Sequence, residues 1–218
     1  MSLELLLTYN KIGVIGTDTE VGKTYVSIHL MTQIKQMGKN VAGLKPIASG
    51  AFLQDGKWVN GDALLLQQTA SKSYDYELVN PNLYKPPIAP HIAAKDVSDE
   101  LSVEKLMMQS YDAFGQIDAD LLLIEGVGGL LTPLNLNQTW ADYLKALNIP
   151  VILVVGMKLG CINHALLTDY YLRQNEIHCI GWVANCIQAD MPRLQENIAT
   201  LTYMLSVPKI LTVDFHIK

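Results

Sequence analysis

A run of nine residues, Gly16-Thr17-Asp18-Thr19-Glu20-Val21-Gly22-Lys23-Thr24, follows the apolar stretch Ile12 to Ile15 and leads into a helical pattern. Strand, glycine loop and helix together make a nest for phosphate: the N–H groups of the turn converge on one spot, and the helix dipole favours negative charge there. Lys23 adds a cation and the Thr24 hydroxyl suits a Mg²⁺ coordination position. A Cβ at Gly16 or Gly22 would hinder left-handed turns and the close approach of oxygens. The generic phosphate-loop pattern has four residues between its first Gly and the Gly-Lys pair, whereas five separate Gly16 from Gly22, a lengthened variant.

Further reactive residues stand directly after other apolar runs. Lys45-Pro46-Ile47-Ala48-Ser49-Gly50 places a second lysine where it holds either a transferring phosphoryl group or a substrate anion, or is a solvated surface residue. Glu125-Gly126-Val127-Gly128-Gly129 sets an acid at a strand end, where nucleotide-binding loops keep a carboxylate for Mg²⁺; the alternative is a carboxylate satisfied by turn N–H groups. Asp62 is a second metal candidate, or an N-cap of the Ala-Leu-Leu run behind it. Lys158 to Ala165 enters a helix whose first N–H groups suit a carboxylate. Cys161 has the helix-start setting of a reactive thiol but no partner fixed by the sequence, and His164 reads as a packed or hydrogen-bonded residue. Asn185 offers donors and an acceptor to a purine edge, or is an ordinary turn Asn.

The elements that must position these residues follow from apolar runs of strand length. Ile12 to Ile15, Asp120 to Ile124, Val151 to Val155 and Ile180 to Ala184 read as buried strands, with Val41 to Leu44 and Ile210 to Val213 as weaker ones. The helix after the phosphate loop carries Val26, Leu30, Ile34 and Met37 on one stripe and stops at Gly38; Thr139 to Leu147, Ile162 to Leu172 and Leu194 to Leu205 are further helices. This alternation predicts an α/β, three-layer fold of the phosphate-loop NTPase kind: a mainly parallel central sheet, helices on both faces and ligands at the carboxyl ends of the strands. Pro46 to Gly61 and the proline-rich Asn80 to Pro90 are expected to be functional loops.

Length and composition set the bounds. The 218 residues fit a single domain (1–218), with half the residues apolar and 17% charged. A net charge of -5 without a Lys/Arg cluster argues against nucleic acid as partner. Met1 to Leu7 has neither a basic leader nor a cleavage site, and no apolar run is long enough to span a bilayer, so neither export nor a membrane is expected. Three cysteines, Cys161, Cys179 and Cys186, without metal-ligand spacing fit a reducing cytoplasm.

Taken together, residues 16–24, 45–50, Gly-Asp-Ala-Leu (61–64), Val-Asn-Pro (79–81), Pro-His-Ile (90–92), 125–129, 150–165 and Gly-Trp-Val-Ala-Asn (181–185) resemble the dethiobiotin synthetases, over about residues 11 to 204. The longer loop is normal for that family. The resemblance implies closure of a ureido ring on 7,8-diaminononanoate with CO₂ (or bicarbonate) and ATP: an amine carbamate attacks the γ-phosphate, and the second amine displaces phosphate from the mixed anhydride. It implies Lys45 and Lys23 as catalytic cations, and Mg²⁺ held by Thr24, Asp62 and Glu125. Glu20, Val21, Gly22, Lys23, Thr24 and Tyr25 would wrap the phosphates, and Gly126, Val127, Gly128, Asn185 and Cys186 would complete the nucleotide site. Thr19, Lys45 and Ser49 would touch the diamine, while Cys161, Ile162 and Asn163 would hold its carboxylate. A homodimer with substrate near the subunit interface is implied as well.

The chain departs from the family at its end. Leu211-Thr212-Val213-Asp214, running to Lys218, replaces a Gly-Glu-x-Pro turn beside the adenine, so the resemblance does not carry the adenine pocket. The family's late-helix interface tyrosine is not evident; Asn197 stands near its place. Two rival readings share the loop: a chromosome-partition type ATPase switch, whose signature lysine is missing from Gly16-Thr17-Asp18, and a nucleotide-binding homologue without synthetase activity.

Overall fold

The structure is a computed structural model that describes residues 3–215. A 3₁₀ turn, Leu3–Thr8, precedes strand β1 (Lys11–Gly16) and helix α1 (Lys23–Gln36). Then come β2 (Val41–Leu44), β3 (Ile47–Ser49), β4 (Phe52–Gln54), β5 (Lys57–Val59), α2 (Gly61–Thr69), α3 (Tyr76–Val79), β6 (Asn82–Tyr84), α4 (Pro90–Asp96) and α5 (Val103–Gln116). The second half runs β7 (Leu121–Glu125), α6 (Trp140–Leu147), β8 (Val151–Gly156), α7 (Cys161–Gln174), β9 (Cys179–Asn185), α8 (Leu194–Met204) and β10 (Lys209–Val213).

Six strands form one sheet in the order β10-β9-β8-β1-β7-β2, and every neighbouring pair is parallel. Parallel strands buried on both faces must be apolar along their whole length, which is why these segments read as continuous runs rather than alternations. The two faces separate cleanly. Ile12, Val14, Leu121, Leu123, Ile152 and Val154 pack with Val26, Leu30 and Ile34 of α1 and Leu66 of α2. Residues one position along, Ile15, Leu122, Ile124, Leu153 and Val155, pack with Leu106 of α5, Trp140 and Tyr143 of α6, Ala165 of α7 and Leu201 of α8. The three-layer α/β expectation therefore holds, and both weaker strand candidates belong to the central sheet.

The stripe on α1 ends earlier than the pattern suggests. Val26, Leu30 and Ile34 are buried, but Met37 is 40% exposed and caps the helix just before Gly38 at φ +76°. The stretch from Pro46 to Gly61 is more ordered than an irregular loop: β3 pairs in parallel with β6 from the proline-rich segment, and β4 and β5 form an antiparallel hairpin. Among the described residues no helix is long and apolar enough to cross a membrane.

Candidate active site

β1 lies between β7 and β8, so the loops leaving these three strands crowd together at the carboxyl edge of the sheet. The loop after β1 needs its glycines. Gly22 sits at φ +80° as the residue before α1, and a Cβ there would come within 2.1 Å of Asn185 Nδ2. Asn185, at the end of β9 and only 3% exposed, donates from Nδ2 to the Val21 carbonyl at 2.8 Å. It thus ties the loop down from behind.

Glu125 ends β7 completely buried, a position that burial makes costly unless every oxygen is bonded. Its Oε1 accepts from Thr24 Oγ1 (2.6 Å) and from the Lys45 ammonium (2.6 Å), and its Oε2 accepts from Ser27 Oγ (3.0 Å). Lys45 leaves β2, is 4% exposed, and also donates to Asp62 Oδ2 (3.2 Å) and the Gly126 carbonyl (3.3 Å). The solvated-surface alternative for Lys45 is thereby excluded. Burial works against its charge, but the Glu125 and Asp62 carboxylates outweigh that and hold its pKa above the usual value.

Asp62 is not the N-cap of α2. Asn60 is: its side-chain oxygen accepts from the N–H groups of Asp62 and Ala63, because an amide two residues earlier reaches the first turn and frees the carboxylate. Asp62 consequently projects to Lys45; burial raises its pKa, and the ammonium and the Thr24 hydroxyl more than reverse this, leaving it lowered. Lys23, 7% exposed, donates to the carbonyls of Gly128 (2.6 Å) and Asp18 (3.3 Å). Burial, reinforced by the neighbouring Lys45 charge, pushes its pKa down to about 8.

Thr24, Asp62 and Glu125 thus present one hydroxyl and two carboxylates around a single point. These hard oxygens fit Mg²⁺, which takes one or two carboxylates from a protein and leaves its other positions to phosphate and water. Among the described residues no three His, Cys, Asp or Glu side chains gather as a metal cage.

The groups line a cleft of about 960 Å³, enough for a nucleotide and a small substrate. Of the residues singled out from sequence, Thr19, Glu20, Gly22, Lys23, Thr24, Tyr25, Lys45, Ser49, Asp62, Glu125, Val127 and Gly128 line it. Val21, Gly126, Asn185 and Cys186 do not line it, nor do Cys161, Ile162 and Asn163, the first turn of α7. The Ser49 hydroxyl is buried without a hydrogen-bond partner on a cleft-lining residue, a group that a ligand would satisfy. Cys161 is 2% exposed, too enclosed for a reactive thiol, and His164 stands on the surface of α7 with its ring facing Asp18. Sequence reasoning missed Ser27, although its place one turn beyond Thr24 on the same helix face was readable. The proline-rich segment expected to be functional does reach the site: Pro87, Ile88, Ala89 and Pro90 form a wall of the cleft, although no individual residue there was singled out.

Residues 10–217 match the family described as AAA domain. A protein of Legionella pneumophila (strain Paris) named ATP-dependent dethiobiotin synthetase BioD is 45% identical over 203 residues, covering 93% of this chain and 92% of that one. Proteins of the same name from Aeromonas hydrophila and Xylella fastidiosa (strain 9a5c) are 43% and 42% identical, covering 93% and 89% of this chain and 89% and 85% of theirs. A solved structure of a ParA family ATPase from Chlorobium tepidum TLS shares the fold alone, with TM-score 0.55 and 12% identity over 95% of this chain and 84% of that one. With the identity spread over nine-tenths of the chain, it belongs to the family of ATP-dependent dethiobiotin synthetases.

Proposed function

We propose that this protein is an ATP-dependent dethiobiotin synthetase, which carboxylates 7,8-diaminononanoate with CO₂ and closes the ureido ring at the expense of ATP, releasing ADP and phosphate. The observation that carries the reading is the convergence of Lys23, Lys45, Thr24, Asp62 and Glu125 in one cleft of a chain 42–45% identical to proteins of that name. Such a reaction needs no side-chain nucleophile. Negative charge builds on the carbamate and the transferring phosphoryl group, and preorganised cations at that point lower the barrier.

In this reading the loop from Glu20 to Tyr25 holds the triphosphate, and Lys23 exchanges its carbonyl partners for phosphate oxygens. Lys45 faces the carbamate, with Thr19 and Ser49 orienting the amines. Thr24, Asp62 and Glu125 would hold Mg²⁺, which would supply charge neutralisation at the phosphates. Asn185 and Cys186 would meet the base. Because Cys161, Ile162 and Asn163 lie outside the cleft of their own chain, the reading gives the substrate carboxylate to the α7 start of a second copy, in a cytoplasmic homodimer whose chains each form one catalytic unit. The partition-switch reading rests on shared fold alone.

Purified protein given 7,8-diaminononanoate, bicarbonate and MgATP is expected to yield dethiobiotin, ADP and phosphate, with CTP compared as phosphate donor. A preparation that binds ATP and forms no dethiobiotin would refute the assignment in favour of a nucleotide-binding homologue.

A further inference from the structure

A carboxylate inside a phosphate loop is electrostatically unwelcome, yet Asp18 sits there, two residues before Glu20. Its side chain is turned away from the nest. Oδ1 accepts from the Thr19 N–H at 2.7 Å, while Oδ2 faces Lys158 Nζ at 3.4 Å and His164 Nδ1 at 3.9 Å. Both partners come from the segment after β8: Lys158 is three residues ahead of α7 and His164 lies in its second turn. Asp18 itself does not line the cleft, whereas Thr19 does.

We propose that Asp18 is a positioning residue for the diamine: paired with Lys158, it clamps the Asp18–Thr19 stretch to the segment that opens α7, and so fixes where Thr19 meets the substrate. The inference rests on the synthetase reading and goes beyond it. The phosphate-facing part of the loop has its own anchor, the Asn185 bond to the Val21 carbonyl. The Thr19 N–H is spent on Asp18 and is not offered to phosphate. Lys23 also donates to the Asp18 carbonyl, but its shorter bond is to the Gly128 carbonyl and in the synthetase reading it gives up both for phosphate, so loss of the clamp shifts Thr19 with little effect on the nucleotide nest. Burial raises the pKa of Asp18, but the Thr19 N–H and Lys158 overcome this and keep the carboxylate ionised at neutral pH. All three side chains are a third to nearly half exposed, so the clamp adds little to global stability, and its removal should leave a folded protein.

The test uses the full chain with substitutions Asp18→Asn, Lys158→Met and both together. Asp18→Asn keeps an acceptor for the Thr19 N–H and removes only the charge. Displacing a substrate-positioning group by about an ångström costs up to about 10²-fold. The expected outcome for each single variant is a diamine KM about tenfold higher with kcat several-fold lower, while ADP affinity by calorimetry stays within about twofold. The double variant should be no worse than Asp18→Asn alone, since one clamp is broken once. Unchanged diamine KM in an active enzyme, a silent Lys158→Met, or an equal loss of ADP affinity would each overturn the proposal. Should Asp18→Asn fail to fold, Lys158→Met carries the test by itself. A wild type that forms no dethiobiotin overturns the synthetase reading and this inference with it.

Discussion

Lys45→Met separates catalysis from stability, because in the proposed reading the buried ammonium serves both. Its Nζ lies 2.6 Å from a carboxylate with no solvent exposure, so removing it leaves Glu125 as an uncompensated buried charge. Breaking such a pair costs about 3–5 kcal/mol. For a chain of this size each kcal/mol moves the melting point by about 2–4 °C, so a drop of about 6–20 °C is expected. Catalysis is lost on a different scale: removing one preorganised charge stabiliser costs about 2.7–4 kcal/mol of barrier, or 10²–10³-fold in kcat. The assay is dethiobiotin formation at saturating substrates, run well below the variant's melting point, beside a thermal melt and ADP calorimetry. Combining Lys45→Met with Glu125→Gln removes both charges, so the melt should return toward wild type while turnover stays lost. A Lys45→Met enzyme within about threefold of wild-type kcat would refute the electrostatic role, and an unchanged melt would refute the buried pair.

Three further outcomes follow from the same geometry. Glu125→Gln and Asp62→Asn should each raise the Mg²⁺ concentration for half-maximal turnover by on the order of tenfold; unchanged metal dependence in both would remove them from the metal site. Lys23, with its pKa pushed down to about 8, loses its charge as pH rises through that value, so ADP affinity should fall between pH 7 and 9, and a flat calorimetric profile would count against a phosphate-binding role. Stability of the ligand-free protein should move the other way: from about pH 8 to the ordinary lysine range the unfolded chain binds the extra proton, which makes the fold more stable as pH rises.

Much of this was readable before any coordinates because the central sheet is parallel and doubly covered. Continuous apolar runs then coincide with strands, and the residue after each run must lie at the ligand edge; hence Lys45, Glu125 and the glycine loop that leads to Thr24 could be placed together. What stayed hidden depends on long-range packing. Asp62 looks like a cap because Asp before Ala-Leu-Leu favours one, and only the fold shows Asn60 in that role. The β3–β6 pair joins segments some 35 residues apart, a register that no local period announces. Helix α5 has an amphipathic face and a Ser102 cap that were readable but were not identified. Asn185 reads as a base contact or an ordinary turn Asn, and the structure bonds its amide to the Val21 carbonyl, a contact sequence could not supply because Val21 is distant in the chain.

The charges of the cleft explain how an acidic protein takes up an acidic nucleotide. Lys45 is matched by Glu125 and Asp62, and its pairing distances leave little field for an incoming anion. Lys23 is different, being held by two carbonyl dipoles rather than a carboxylate. Its charge is expensive to keep buried, which the lowered pKa reflects, and phosphate oxygens would relieve that cost as the loop N–H groups engage. One such lysine and a set of N–H dipoles cannot neutralise a triphosphate beside two carboxylates. In the proposed reading the remaining positive charge would arrive with the nucleotide, and the oxygens of Thr24, Asp62 and Glu125 would receive it. In the synthetase reading a divalent ion held by those carboxylates would weaken the internal pairing of Lys45 and leave its ammonium freer to face the reacting anion. The same carboxylates that keep Lys45 charged would in that reading also restrain it until metal and nucleotide bind.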